Sequence, residues 1–418
     1  MIPLRKTLLL GILCLPFLTN THAAEIKPVQ ARSAFDFVDS MGVCLRIFDD
    51  ASHDTIVRPR LAELGIKHIR AALKKPGDNH RGNGQIEMDR LKQLGEEGYK
   101  VTGIWSCWYS MNDLVKISES LLPDALYQVE GPNEPWNGHE NFKWENKKWP
   151  EGPSLYMEDM HSALRANEKT RKLPILSFSG TTSAYKSIEQ WLDYGNEHIY
   201  TDNGDSLTEK GHLDKLIARC RSTQYPTKPL QFTEAGYCSD PKGFRGTSPE
   251  VQASGVPRIY LETFRQGIVR TFIYGFLMTD DPGFSLLQPD GTPKPAFKAV
   301  QAMRAILDDG PTQKKTPGTL PFSIESKVSS VHHLLLQKND GDFYLCIWND
   351  IGSWDPKTKK NRKNADQPVK VSFGKTPAKV VEYLPLTNGT SAVNTREAPD
   401  KEITFEVPDH PLILKITP

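Results

Sequence analysis

The sequence predicts an α/β chain: a (β/α)₈ TIM barrel followed by a small all-β sandwich. Short apolar runs alternate with amphipathic helical stretches over roughly 270 residues, near the ~250 typical of that barrel. Two of the runs end in a glutamate, Glu134 and Glu234. Beyond Asp309 the helical period stops, and β-type runs separated by Asn-Asp-Gly and Asn-Gly turns take over. A doubly wound sheet is the competing architecture, but no GxGxxG follows the first strand and there is no phosphate loop.

In chain order, Arg5 and Lys6 precede an apolar run at 8–18, and Thr21-His22-Ala23 offers small residues for cleavage. Residues 1–23 therefore read as a secretory leader, and the mature chain is expected in the periplasm or outside the cell. The apolar run is too short to span a bilayer, and no later segment approaches ~20 apolar residues, so no membrane insertion is expected. Barrel units follow. Strand 41–48 leads to a helix at 54–64 with Ile56, Val57, Leu61 and Leu64 at helical spacing, stopped by Gly65. Strand 66–73 precedes helix 88–97, and strand 99–106 precedes a helix capped by Asn112 or Asp113. Strand 126–130 climbs to the Gly131-Pro132-Asn133-Glu134-Pro135 turn, and a loop at 137–153 precedes helix 155–167. Strand 173–178 with a helix including 188–194, strand 197–200 with helix 213–221, strand 229–233 with helix 249–267, and strand 269–277 with helix 294–307 complete eight units.

A linker is expected from Gly310-Pro311 to Pro321, which divides a 24–310 barrel domain from a 311–418 sandwich. Sandwich strands are expected at 331–337, 342–349, 369–373, 378–384, 402–407 and 412–416, with no helix. The stretch 26–29 has no place in the barrel, so 24–40 is a candidate to pack on the sandwich.

Composition narrows the function. The 418 residues carry 52 basic and 51 acidic side chains, a net charge of +1, which gives no footprint for nucleic acid. A neutral, polar partner suits this chain, and an oligo- or polysaccharide is one. Outside the leader, Cys44, Cys107, Cys220, Cys238 and Cys346 show no CxxC spacing, so no metal site is expected. Export permits disulfides, and Cys220 with Cys238 is a candidate pair. Cys346, within Phe-Tyr-Leu-Cys-Ile-Trp, reads as a buried small hydrophobe.

Barrel enzymes carry their chemistry at the C-terminal ends of the strands. On that rule the exits deliver Arg70, Trp105, Asn133, Glu134, His198, Tyr200 and Glu234. Paired carboxylates are the minimal equipment for cleaving a glycosidic bond, one as acid and base, the other as nucleophile. Glu130 shares the parity of Glu134, and a buried acid there calls for a structural pairing with an interior base. Trp105, Trp108, Trp136, Trp144, Trp149 and Tyr237 are candidates to stack on sugar rings, Trp136 and Trp105 foremost because they flank the acids.

The Asn-Glu-Pro at 133–135 on the fourth strand, with Thr-Glu-Ala-Gly at 233–236 on the seventh, resembles glycoside hydrolase clan A. Further similarities are His-Ile-Arg-Ala-Ala-Leu at 68–73, the 193–200 and 270–277 strands, and Asp-Gly-Thr-Pro-Lys-Pro-Ala-Phe at 290–297. The layout of barrel then sandwich is similar to families 5 and 39. The resemblance implies Glu134 as general acid/base and Glu234 as nucleophile of a retaining, cofactor-free hydrolase of a β-linked glycan. It implies Asn133 at the sugar 2-hydroxyl, Arg70 and Tyr200 on Glu234, and His198 beside the acid/base or the sugar. Arg46 at the first exit and Gly275-Phe276-Leu277 at the eighth depart from the pattern, where related barrels place sugar-binding polar, acidic or tryptophan residues. Two alternatives remain open at this stage: a carbohydrate-binding barrel without turnover, and a transglycosylase using the same residues.

Overall fold

The computed structural model describes residues 26–48, 50–137, 142–180, 188–313 and 316–418. The leader, including its Arg5 and Lys6, lies outside the described residues. No helix among those described is long and apolar enough to cross a membrane.

Two short strands, β1 (Lys27–Gln30) and β2 (Arg32–Ser33), precede helix α1 (Ala34–Asp39), whose first turn is capped by Ser33 accepting from the Asp36 amide. The barrel strands are β3 (Met41–Cys44), β4 (His68–Ala72), β5 (Lys100–Ile104), β6 (Leu126–Glu130), β7 (Ile175–Leu176), β8 (Gly195–Tyr200), β9 (Leu230–Gly236) and β10 (Arg270–Ile273). They form one parallel sheet in the order β7-β6-β5-β4-β3-β10-β9-β8. Parallel bonds between Leu176 and Tyr194 close it into a barrel. Helices α2 (Arg58–Leu64), α3 (Gly84–Glu96), α4 (Met111–Ser120), α5 (Glu151–Ala166), α6 (His212–Ser222), α7 (Pro249–Arg265) and α8 (Pro295–Leu307) wrap it. All eight expected strands are present. The helix expected at 188–194 is instead a single 3₁₀ turn, Glu189–Trp191, because the chain must become extended by Leu192 to enter β8.

The sandwich is built from β11 (Thr319–Ser326), β12 (Val331–Gln337), β13 (Phe343–Asn349), β14 (Trp354–Asp355), β15 (Lys360–Asn361), β16 (Gln367–Phe373), β17 (Lys379–Tyr383), β18 (Ala392–Glu397), β19 (Glu402–Val407) and β20 (Leu412–Thr417). One sheet runs β1-β11-β16-β19, the other β18-β17-β20-β13-β12-β2, and β14 and β15 form a separate hairpin. Residues 27–33 thus supply one strand to each sheet. The expected linker ends early, since β11 begins at Thr319, and one helical turn, α9 (Pro385–Asn388), interrupts the β-region.

The centre of the six-stranded sheet is buried on both faces, which β13 makes visible. Phe343, Leu345 and Ile347 point into the sandwich core, while Tyr344, Cys346 and Trp348 join the core of the barrel. This is the period of two expected of a strand, with both faces apolar. It also explains why Cys346 is fully buried. All five described cysteines are free, so the Cys220–Cys238 pair does not form. Cys220 is buried on the inner face of α6, whereas Cys238 is packed against Gly243 and Gly283 beyond β9.

Barrel and sandwich are joined by a buried guanidinium. Arg258 of α7 donates to the Asn349 carbonyl (3.2 Å) and the Ile351 carbonyl (2.8 Å), with the Asp350 carboxylate 3.5 Å away. Both charged side chains are 2 % exposed. Removing one member of a buried pair strands the other charge in a medium that solvates it poorly. Arg258→Ala is expected to lower unfolding stability by about 3–5 kcal/mol, read by denaturant titration, whereas loss under 1 kcal/mol would mean that the joint carries no load.

Candidate active site

Four strand ends converge on one buried constellation, and Arg70 at its centre comes from β4. Its Nε and Nη2 donate to both oxygens of Glu130 on β6, at 2.7 and 2.8 Å. Nη1 donates to Glu234 Oε1 at 2.8 Å, and Nη2 also reaches Asn133 Oδ1 at 2.7 Å. The planar fork of five donors lets one cation serve three acceptors. Glu130 is thereby the structural partner of an interior base, as its parity suggested.

Glu234 takes its second oxygen's bond from Tyr200 Oη, at 2.7 Å. Burial first, and then the Glu234 charge, push the Tyr200 phenol well above its ordinary range, so it stays a donor. His198 sits between the acids: Nδ1 is 2.8 Å from Glu134 Oε1 and 3.4 Å from Glu234 Oε2, and Nε2 is 3.1 Å from Thr233 Oγ1. Asn137 Nδ2 donates to the other Glu134 oxygen at 2.6 Å. A carboxylate oxygen of Glu134 and one of Glu234 lie within 4.8 Å of each other. Glu134 itself has φ +37°, a conformation that non-glycine residues rarely adopt and that tends to collect at working sites.

The electrostatics favour an ion pair at rest. Burial alone would raise the Glu134 carboxyl, but the hydrogen bond and charge of His198, with Asn137 and Arg70, outweigh it and hold the group below the ordinary carboxylate range. Burial likewise opposes charge on His198, yet the Glu234 charge and the Glu134 hydrogen bond raise it above the ordinary histidine value. The hydrogen bond between them therefore favours the charged carboxylate of Glu134 and the protonated form of His198. Glu134, His198 and Glu234 have the spacing of metal ligands, as do Glu262, His332 and Asp350. Each trio already has guanidinium counter-charge, Arg70 in the first and Arg265 with Arg258 in the second, which offsets the attraction for a cation.

The aromatic candidates separate by exposure. Trp105 is fully buried, its indole N–H donating to Ser118 Oγ at 3.1 Å, so it forms cavity wall. Trp144 donates to Asp159 at 2.7 Å and packs edge-on against Tyr156, and Trp149 packs edge-on against Phe178. The buried Tyr237 donates to the Asp205 carbonyl. Trp136, 49 % exposed beside Glu134, and Trp108, 68 % exposed, present free faces.

Three site residues escaped the sequence reading. Thr233 Oγ1 lies 3.0 Å from Glu130 and 2.9 Å from Asn196 Oδ1, and Asn196 Nδ2 donates to Glu130 at 3.1 Å. The alternation Asn196, His198, Tyr200 along β8 carried the signal for Asn196. Thr233 had none, because a register irregularity between β8 and β9 turns consecutive residues Thr233 and Glu234 both toward the site. Tyr274, at the exit of β10, lines the cavity and stands edge-on to Tyr200.

No protein-family model matches the chain, and no curated protein matches it. Solved structures do. A GH39 β-xylosidase from Caulobacter crescentus is 13 % identical with a TM-score of 0.59, covering 93 % of this chain and 98 % of that one. A GH51 arabinofuranosidase from Xanthomonas axonopodis pv. citri is 12 % identical, TM-score 0.56, covering 86 % and 89 %. A GH30 endoxylanase from Clostridium papyrosolvens C71 is 11 % identical, TM-score 0.55, covering 94 % and 97 %. At such identities the likeness is one of fold: a barrel followed by a sandwich, as in these three glycosidases.

Proposed function

We propose that this protein is an exported retaining glycoside hydrolase that cleaves O-glycosidic bonds of a β-linked glycan by double displacement. The observation that carries the reading is two carboxylates within 4.8 Å in opposite surroundings, one bound by Arg70 and Tyr200, the other sharing a proton with His198. Nearest oxygens this close are compatible with the ~5–5.5 Å carboxyl separation of retaining sites. The 24–310 segment is the proposed catalytic domain, and 311–418, with the strands after the leader, is its brace.

In the first step a Glu234 oxygen forms a bond to the anomeric carbon as the bond to the leaving oxygen breaks. The leaving oxygen takes a proton from Glu134, which receives it from His198 Nδ1 across their hydrogen bond and leaves that imidazole neutral. Asn133, held by Arg70, donates to the sugar 2-hydroxyl, and Trp136 supports the leaving group. In the second step Glu134 takes a proton from water and passes it back to His198. The water oxygen attacks the anomeric carbon, and the electron pair of the glycosyl ester returns to Glu234. No cofactor takes part in either step.

Two outcomes are expected. On a panel of aryl β-glycosides and polysaccharides, Glu134→Ala lowers kcat on unactivated glycans by ~10²–10⁴, the range for losing a positioned acid. Glu234→Ala is inactive, and azide restores turnover with an inverted glycosyl azide as product. Full activity in either variant contradicts the assignment, and equal glycan binding without turnover in all three proteins favours a binding protein.

The pH dependence has a definite sign. The raised His198 value contributes stability in full below about 6.5, lost as pH rises through the folded value. The lowered Glu134 value contributes above about 4.5, lost as pH falls through its folded value. The thermal-midpoint advantage of the intact protein over His198→Gln is expected to be greatest between those limits, and the alkaline limb of kcat/KM to lie above 6.5. A pH-independent difference would contradict the shared proton.

A further inference from the structure

A cavity of about 440 Å³ opens beside the nucleophile, with Arg70, Asn133 and Glu234 in its buried floor. Its rim is made by the loops that follow β3, β4, β5 and β10, and neither Glu134 nor Trp136 lines it. It therefore extends on the nucleophile's side, where the sugar retained in the covalent intermediate sits, and away from the leaving group. The reacting ring needs only the floor.

The rim has two unused groups. Trp108 leaves an indole face 68 % exposed to the cavity mouth, and flat aromatic faces stack on the apolar faces of sugar rings. Arg81 is the other. Every other cationic lining side chain bar His80 is engaged: Arg70 as above, Lys74 by Glu87 and the Gly82 carbonyl (2.8 Å each), and Arg46 by Asp280 at 3.2 Å. The nearby Asp78 carboxylate accepts from Tyr109 Oη and the His80 amide. Among the described residues Arg81 has no hydrogen bond or ion pair.

The loop that presents Arg81 is built rather than loose. Asp78 N donates to the Lys75 carbonyl (2.9 Å), Gly84 N to the Asp78 carbonyl (2.8 Å), and the half-buried Lys74 ammonium clamps Gly82. A Cβ at Gly84 would lie 2.2 Å from the Lys75 oxygen, so the turn closes tightly there. Arg81 itself holds φ +56°, outside the ordinary range for its type. A lone surface tryptophan or arginine is ordinary. An open indole and an unneutralised guanidinium on the rim of the cavity whose floor holds the nucleophile are a recognition pair, with the backbone that presents Arg81 already ordered.

We propose that this rim is a distal glycone subsite in which Trp108 stacks a sugar ring and Arg81 pairs with an anionic substituent, carboxylate or sulfate ester, on the glycan. The inference rests on the glycosidase reading and names its substrate class. Guanidinium suits planar, multi-oxygen anions better than ammonium does.

The test is calorimetric titration of the full chain carrying Glu234→Gln, which blocks turnover, with length-matched oligosaccharides of xylan, glucan and mannan backbones. Each is used neutral, uronate-substituted and sulfated, at low salt. At least one anionic member is expected to bind about tenfold more tightly than its neutral counterpart. Arg81→Gln removes that preference, and Trp108→Ala weakens neutral and anionic members alike. Which anionic arm responds identifies the substituent. Equal binding of neutral and anionic members, binding of none, or a preference that survives Arg81→Gln overturns the proposal. The glycosidase reading fails separately, on turnover by Glu234→Ala.

Discussion

The site depends on one buried cation. Arg70 is 3 % exposed and faces Glu130, itself fully buried, and Glu234 at 11 %. Two carboxylates this close to each other and to Glu134 would otherwise suppress one another's ionisation. The guanidinium removes that conflict by binding Glu130 through two donors and Glu234 through a third, leaving the Glu234 oxygen held by Tyr200 as its other anchored end. Glu130 does no chemistry in this scheme. Its role is to keep the guanidinium plane where Glu234 and Asn133 need it, and Thr233 with Asn196 fix Glu130 in turn. Glu134 and His198, hydrogen-bonded to each other, are then the pair placed to exchange a proton.

The sandwich reaches the same site from behind. The loop after β8, which begins immediately beyond Tyr200, is fastened by Ser206 Oγ donating to the Asp350 carbonyl (3.0 Å) and by Tyr237 Oη donating to the Asp205 carbonyl (2.8 Å). Gly204, at φ +67°, lies under Trp354 so closely that a Cβ would sit 2.5 Å from the Trp354 Cβ. Those contacts tie β14 to the strand that carries His198 and Tyr200. A two-faced sheet buried against the barrel is what makes such a tie rigid.

Much of this was legible in the sequence because the governing patterns are local. Eight apolar runs with helical spacing between them require only periodicity, and the glutamates at 134 and 234 stand out because each closes an apolar run. Arg70 and Tyr200 followed from their place at strand exits, their contact with Glu234 from the family resemblance, and Glu130 from strand parity. What stayed hidden depends on pairing between distant segments. The irregularity that turns Thr233 inward exists only once β8 and β9 are in register. Trp105 and Trp108 look alike three residues apart, yet one is sealed under α4 and the other faces the cavity mouth. The expectation of export also made Cys220–Cys238 a candidate bridge, and packing separated the two thiols. The β11 strand was hidden in a Thr, Lys and Pro-rich stretch because its partners β1 and β16 lie far away in the chain.

The most direct test of the central claim is to incubate the protein with a 2-deoxy-2-fluoro glycoside bearing a good leaving group and map the modified peptide by mass spectrometry. The account predicts a stoichiometric glycosyl ester on the peptide containing Glu234, absent when Arg70 is replaced by methionine. A label on Glu134, or hydrolysis that proceeds with inversion and leaves no label, would contradict it.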